Sequence, residues 1–230
     1  CVPSAPELAA VVESLAPPRG APRPLELLFL VDGSGSVTEE DFATTQAFIK
    51  ASGLQLLESD PGARLGVVQF SNEVRVELPL AGYAAPGEFT SKVDALTRLN
   101  GGTNIAAAVR RAARLFRGDD EDEGEEEDSE GEGDEEGGGG EVQAPPPAQA
   151  PRRVVALITD GRVDAYQARE AAEKAARLRD EVEGVTMFAL GVGRGVDRCE
   201  LLRIIQEDGE RAEQAEGRYL ALRTLEDSSW

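Results

Sequence analysis

Not one histidine occurs among the 230 residues of this chain. Ser-His-Asp and Cys-His catalysis are therefore excluded, and so is imidazole ligation of a metal. Cysteine is nearly absent: only Cys1 and Cys199, with no C-x-x-C pair. That excludes a zinc ribbon or a disulfide-dense scaffold and leaves either one bridge or two free thiols. Aromatic residues make up 5% of the chain, so a core must come from Val, Leu, Ile and Ala, which a 40% hydrophobic content supplies. No apolar run reaches the roughly 18 residues of a membrane span, and direct membrane insertion is not expected. Positive charge is also short, with 24 Lys and Arg against 44 Asp and Glu. General nucleic-acid binding needs basic patches, so no nucleic-acid partner is expected. The chain opens on Cys1 rather than Met. That is expected of a processed product or an excised piece, with any targeting peptide already removed.

The charge that is present is unevenly spread. Residues 118–150 hold fifteen Asp and Glu and no Lys or Arg, so removing them takes the formal charge from −20 to −5. Residues 118–140 are almost only Asp, Glu and Gly, and 141–151 are rich in Pro, Ala and Gln. Such a stretch has too little apolar area to offset its ordering entropy, and 118–151 is expected to be a disordered insert. Residues 1–24 are proline-rich and read as an N-terminal arm, with a short helical patch near 7–15. One domain is expected over 25–225, interrupted by the insert, with a tail at 226–230.

Within that domain the apolar pattern alternates between strand and helix. The continuous run 25–31 predicts a strand buried on both faces. Thr38, followed by Glu39, Glu40 and Asp41, predicts a capped helix that Asp60-Pro61-Gly62 stops. Residues 64–70 read as a second strand. Across 73–78, Val74, Val76 and Leu78 alternate with charged residues, the pattern of a half-exposed antiparallel edge strand. Helices are expected at 88–99, 103–116, 165–182 and 197–207, and further strands at 153–159, 185–192 and 218–222. The fold class is therefore α/β: a doubly wound, mostly parallel six-stranded sheet with one short antiparallel edge strand and helices on both faces.

Three segments fall at the carboxyl ends of these strands, where ligands sit in such sheets. Asp32-Gly33-Ser34-Gly35-Ser36 follows the first strand, Gly101-Gly102-Thr103-Asn104 opens a helix, and Thr159-Asp160-Gly161 closes the fourth strand. Two carboxylates and three hydroxyls make a hard-oxygen site suited to Mg²⁺, Mn²⁺ or Ca²⁺ rather than zinc or copper. Each segment also has a plainer reading. Ser34 and Ser36 could end a strand and cap a helix, Thr103 could be an N-cap, and Asp160-Gly161 a turn. A further run, Gly191-Val192-Gly193-Arg194-Gly195, hints at dinucleotide binding but lacks the full glycine spacing and reads as a loop.

Together, Asp-x-Ser-x-Ser, Gly-Gly-Thr-Asn and Thr-Asp-Gly resemble the metal-ion-dependent adhesion site (MIDAS) of the von Willebrand factor type A (vWA) domain. The stretches 65–71 and 188–193 are similar to that family's second and fifth strands. The resemblance implies that Ser34, Ser36 and Thr103 offer hydroxyl oxygens to a Mg²⁺ or Mn²⁺ ion. Asp32 and Asp160 would act directly or through water. It also implies an extracellular or cell-surface protein-binding module of adhesion or matrix type, not an enzyme, that captures an Asp or Glu carboxylate of a protein partner. Side chains around the ion, at 38–41, 72–73 and 163–166, would set specificity. An intracellular scaffold of the same fold is the alternative. A phosphohydrolase with Asp32 as nucleophile is disfavoured, because no second aspartate follows two residues on and no lysine lies in these loops. The insert is either a solubilising spacer or, with a coil span of roughly 34 Å, a weak competing source of carboxylates.

Overall fold

A computed structural model describes residues 24–119, 150–162, 165–207, 209–210 and 212–222. Nearly all of the arm and the acidic insert, the whole 226–230 tail, and Cys1 lie outside the described residues. Six strands form one sheet: β1 (Leu25–Asp32), β2 (Arg64–Phe70), β3 (Val74–Ala81), β4 (Arg152–Thr159), β5 (Val185–Val192) and β6 (Tyr219–Leu222). Their spatial order is β3-β2-β1-β4-β5-β6. Only β3 runs antiparallel, against β2; the other pairs are parallel.

Every residue of β1 is buried, because both faces of the sheet are covered. Successive side chains point to opposite faces, which divides the core into two layers. Leu25, Leu27, Phe29 and Val31 face one layer, with Phe42, Phe48, Ile49 and Leu56 of α1 (Glu39–Ser59) and with Phe89 and Val93 of α2 (Pro86–Asp94). Leu28 and Leu30 face the other, with residues of α3 (Ile105–Arg117), α4 (Ala165–Glu181) and α5 (Arg198–Ile205). At the amino end of the sheet the buried Glu26 carboxylate bridges Arg64 at 2.6 Å and Arg153 at 3.1 Å. It ties β1 to both neighbours at the end away from the candidate site.

The start of α1 follows its sequence signal: Thr38 Oγ1 accepts from the Asp41 amide, and Glu39, Glu40 and Asp41 fill the first turn. At α3 the cap is Asn104, whose side chain accepts from the Ala107 amide, so Thr103 is not the capping residue. Helix α2 ends at Asp94, short of the expected 99. Side chains take up the backbone there: Gln46 of α1 donates to Val93 O and Leu96 O, and Gln69 of β2 holds the residues that follow. The Gln69 amide donates to Thr97 O at 3.0 Å and its Oε1 accepts from Leu99 N at 2.9 Å, drawing 97–99 onto the sheet instead. A short helix, α6 (Ala212–Glu216), has no counterpart in the sequence reading; it is only five residues long, too few to show a helical period.

Candidate metal centre

The strand order reverses direction at one point. From β1 the chain builds outward to β2 and β3, then returns to lay β4 on the other side of β1. Crevices at such switch points, at the carboxyl ends of the strands, are the natural ligand sites of open α/β sheets. Val31 pairs with Ile158, so Asp32 and the Thr159-Asp160 step emerge side by side there.

Asp32 is buried and tightly held. Its Oδ1 accepts from the Ser34 amide at 2.9 Å, and its Oδ2 accepts from the Thr159 hydroxyl at 2.5 Å. Thr159 Oγ1 in turn accepts from Gly161 N at 3.0 Å, which aims its proton at Asp32. Burial lifts the Asp32 carboxyl above its ordinary range; hydrogen bonds from Ser34 and Thr159 oppose this, and the charge of Asp160 adds to it. Ser34 Oγ and Ser36 Oγ lie 3.0 Å apart. Asp160 Oδ1 accepts from the Arg162 amide at 3.1 Å. Its Oδ2 is buried and has no hydrogen-bond partner.

The segment carrying Thr103 is clamped to this group through its backbone. Gly35 N donates to Gly101 O at 2.9 Å, and Asn100 N donates to Gly33 O at 2.8 Å. From the other side Asn72 Oδ1 accepts from Gly102 N at 2.7 Å. Arg98 reaches over the loop to the carbonyls of Ser34 and Val37. A Cβ on Gly33 would lie 2.0 Å from Gln69 Oε1, so only glycine lets the loop lie this close to β2. Thr103 itself borders a groove of about 370 Å³, together with Asn72, Asn104, Gln167 and the exposed Tyr166.

All five residues singled out in the sequence thus lie on three loops at one end of the sheet. Asp32, Ser34, Ser36 and Asp160 are fixed there by β1 and β4, and Thr103 by the clamped loop before α3. The bracing residues Gln69, Arg98 and Thr159 were given no role from sequence, and Asn72, expected among the specificity residues, braces the loop through Gly102 N. Thr159 sat inside a recognised motif, but a lone Gln in a strand or Arg in a loop carries no local signal of what it will hold. Among the described residues no group of three or more Asp, Glu, Cys or His side chains could hold a metal. A cation here would depend on the hydroxyls as well as the two carboxylates. The residues fit one: a buried carboxylate oxygen with no hydrogen bond, a second carboxylate whose ionisation burial opposes, and two adjacent hydroxyls are all answered by a hard positive ion.

Residues 26–126 match the family model of the von Willebrand factor type A domain. Matrilin-2 of Mus musculus is 31% identical over 184 residues, which cover 80% of this chain and 16% of that protein. Matrilin-4 of Homo sapiens is 33% identical over 186 residues, covering 81% of this chain and 25% of that protein. The chain thus spans a quarter or less of these two relatives. Among solved structures, proximal thread matrix protein 1 from the mussel byssus, with its MIDAS motif occupied by zinc, aligns with a TM-score of 0.59 at 23% identity. It covers 89% of this chain and 45% of that one. The sheet order, the matched segment and these relatives identify the chain as carrying a von Willebrand factor type A domain.

Proposed function

We propose that this domain is a divalent-cation-dependent protein-binding module of the extracellular matrix, and that it does no catalysis. The observation that carries this reading is Asp160 Oδ2, buried without a hydrogen-bond partner beside the Asp32, Ser34 and Ser36 cluster. Asp32, Ser34, Ser36, Thr103 and Asp160 would hold the ion. Once bound, the cation supplies an electrophilic coordination position for an Asp or Glu oxygen of a protein partner. The residues themselves set that character. Two carboxylates only balance a dication, and the hydroxyl donors are neutral, so the centre keeps its appetite for an external anion. Thr159, Gln69, Asn72 and Arg98 hold the loops in register. The groove beside Thr103, with Tyr166 at its edge, gives the partner's flanking residues a surface to contact. A matrix setting accords with the matrilin relatives and with the byssal matrix protein of the same fold.

Calorimetric titration with Mg²⁺ and Mn²⁺ is the test. Saturable binding is expected for the wild type and none for Asp160→Ala, with the fold of the variant intact by circular dichroism. The zinc in the byssus protein's motif makes zinc a further arm, although these donors favour harder ions. Capture of a carboxylate-bearing protein partner should then disappear in EDTA and return with Mg²⁺. Binding that persists in EDTA would refute the reading.

A further inference from the structure

The glycine run that closes β5 makes room for the side chains packed against it. A Cβ on Gly191 would lie 2.6 Å from Val196 Cγ1 and 2.7 Å from the Tyr219 hydroxyl. On Gly193 it would lie 2.8 Å from Asp41 Oδ2. On Gly195 it would lie 2.5 Å from Arg162 Nε and 2.6 Å from its Nη2. The bare backbone of Gly195 is therefore the seat of the Arg162 guanidinium. From that seat Arg162 Nε stands 3.6 Å from Asp160 Oδ2, the buried oxygen that lacks a hydrogen-bond partner. The two side chains differ sharply in freedom: Arg162 is 57% exposed and Asp160 5%. Asp160 cannot leave, whereas the guanidinium can move into water at small cost.

We propose that Arg162 is a tethered counter-ion for Asp160, seated by Gly195, which a divalent cation must displace and which therefore sets the metal affinity of the domain. The proposal rests on the metal-binding reading of the site. Without a metal, the guanidinium partly neutralises a buried carboxylate. With one, a positive charge this close opposes the dication until the side chain swings away. The same arginine thus stabilises the metal-free domain and weakens cation binding.

Two variants separate charge from seating. Arg162→Gln removes the charge, and Gly195→Ala keeps it but fills the seat. Gly195 has an ordinary φ and only a flexible side-chain end against it, so alanine should fold normally. Calorimetry is expected to show Mg²⁺ binding roughly threefold to tenfold tighter in Arg162→Gln and a smaller gain in Gly195→Ala. In EDTA both variants should melt below the wild type. In the wild type the Arg162 Nε resonance should shift as Mg²⁺ is added. Saturable wild-type binding with unchanged or weaker affinity in the variants overturns this inference and leaves the metal site standing. A gain in Arg162→Gln alone reduces the effect to net charge and overturns the seating. Binding in Arg162→Gln but not in the wild type would be the strongest support. No binding in the wild type or either variant removes the metal site itself, and this inference with it.

Discussion

At Asp32, burial holds the carboxyl above its ordinary value of 3.8, while the Ser34 and Thr159 hydrogen bonds draw it part of the way back. The sign of the consequence follows. A raised native pKa means that the metal-free folded state keeps its proton to higher pH than the unfolded chain does. The stability from this group is complete below 3.8 and is lost as pH rises through the raised native value. Near neutral pH the site's preference for the neutral carboxyl is a burden on the metal-free fold. Asp32→Asn keeps the shape and removes the charge. In EDTA it should melt higher than the wild type near pH 7 and converge with it at acid pH, while losing saturable Mg²⁺ binding. Thermal melts across pH check this; a neutral-pH melt below the wild type would mean that the hydrogen bonds, not burial, govern the residue. The candidate metal residues were legible in sequence because three short motifs carry them. Arg162 was not, since its role depends on a glycine 33 positions away in the chain.

Among the elements, the α1–α2 contact sets two effects against each other at Gly53. In a helix interior, Gly→Ala ordinarily stabilises by about 1 kcal/mol. Here the added Cβ would lie 2.2 Å from Phe89 Cε1, and Phe89 is fully buried. A rigid ring in a closed layer cannot step aside, and overpacking costs roughly 1–3 kcal/mol. Gly53→Ala is therefore expected to destabilise, as denaturant melts would show; a stabilised variant would mean that α2 shifts freely. The strands were the most legible elements. Arg64–Phe70 and Val185–Val192 have the bounds their apolar runs predict. Helix ends were less so. Asn104 rather than Thr103 caps α3, and beyond Asp94 the side chains of Gln46 and Gln69 claim the backbone that would continue α2.

On the scale of the whole molecule, the sheet has a working end and a rooted end. Helix α3 closes at Gly118, in the left-handed conformation, and β4 begins at Arg152, so the acidic stretch leaves and rejoins the fold at the end away from the candidate site. Replacing 120–149 with a Gly/Ser linker of equal length should leave Mg²⁺ affinity unchanged, as a spacer would. Tighter binding in that variant would instead support the competing-carboxylate reading. Ligand linkage gives a second global measure. Mg²⁺ at about 100 times its Kd adds roughly 2.7 kcal/mol, a rise of about 5–10 °C in Tm for a domain of this size. Asp160→Ala should show no such rise.

The sequence by itself determined the fold class, the bounds of β2 and β5 and the three motifs that carry the candidate oxygen donors, because these depend on periodicity and on patterns a few residues long; β3 runs on to Ala81, past the expected 78. Tertiary structure decided what those residues became. It placed Asp32 beside Asp160 at the point where the strand order reverses, turned Thr159 toward Asp32, and left Asp160 Oδ2 buried without a hydrogen bond. It also seated Arg162 against Gly195. Those outcomes depend on burial and on charges brought together from distant parts of the chain, and no local pattern of residues encodes them.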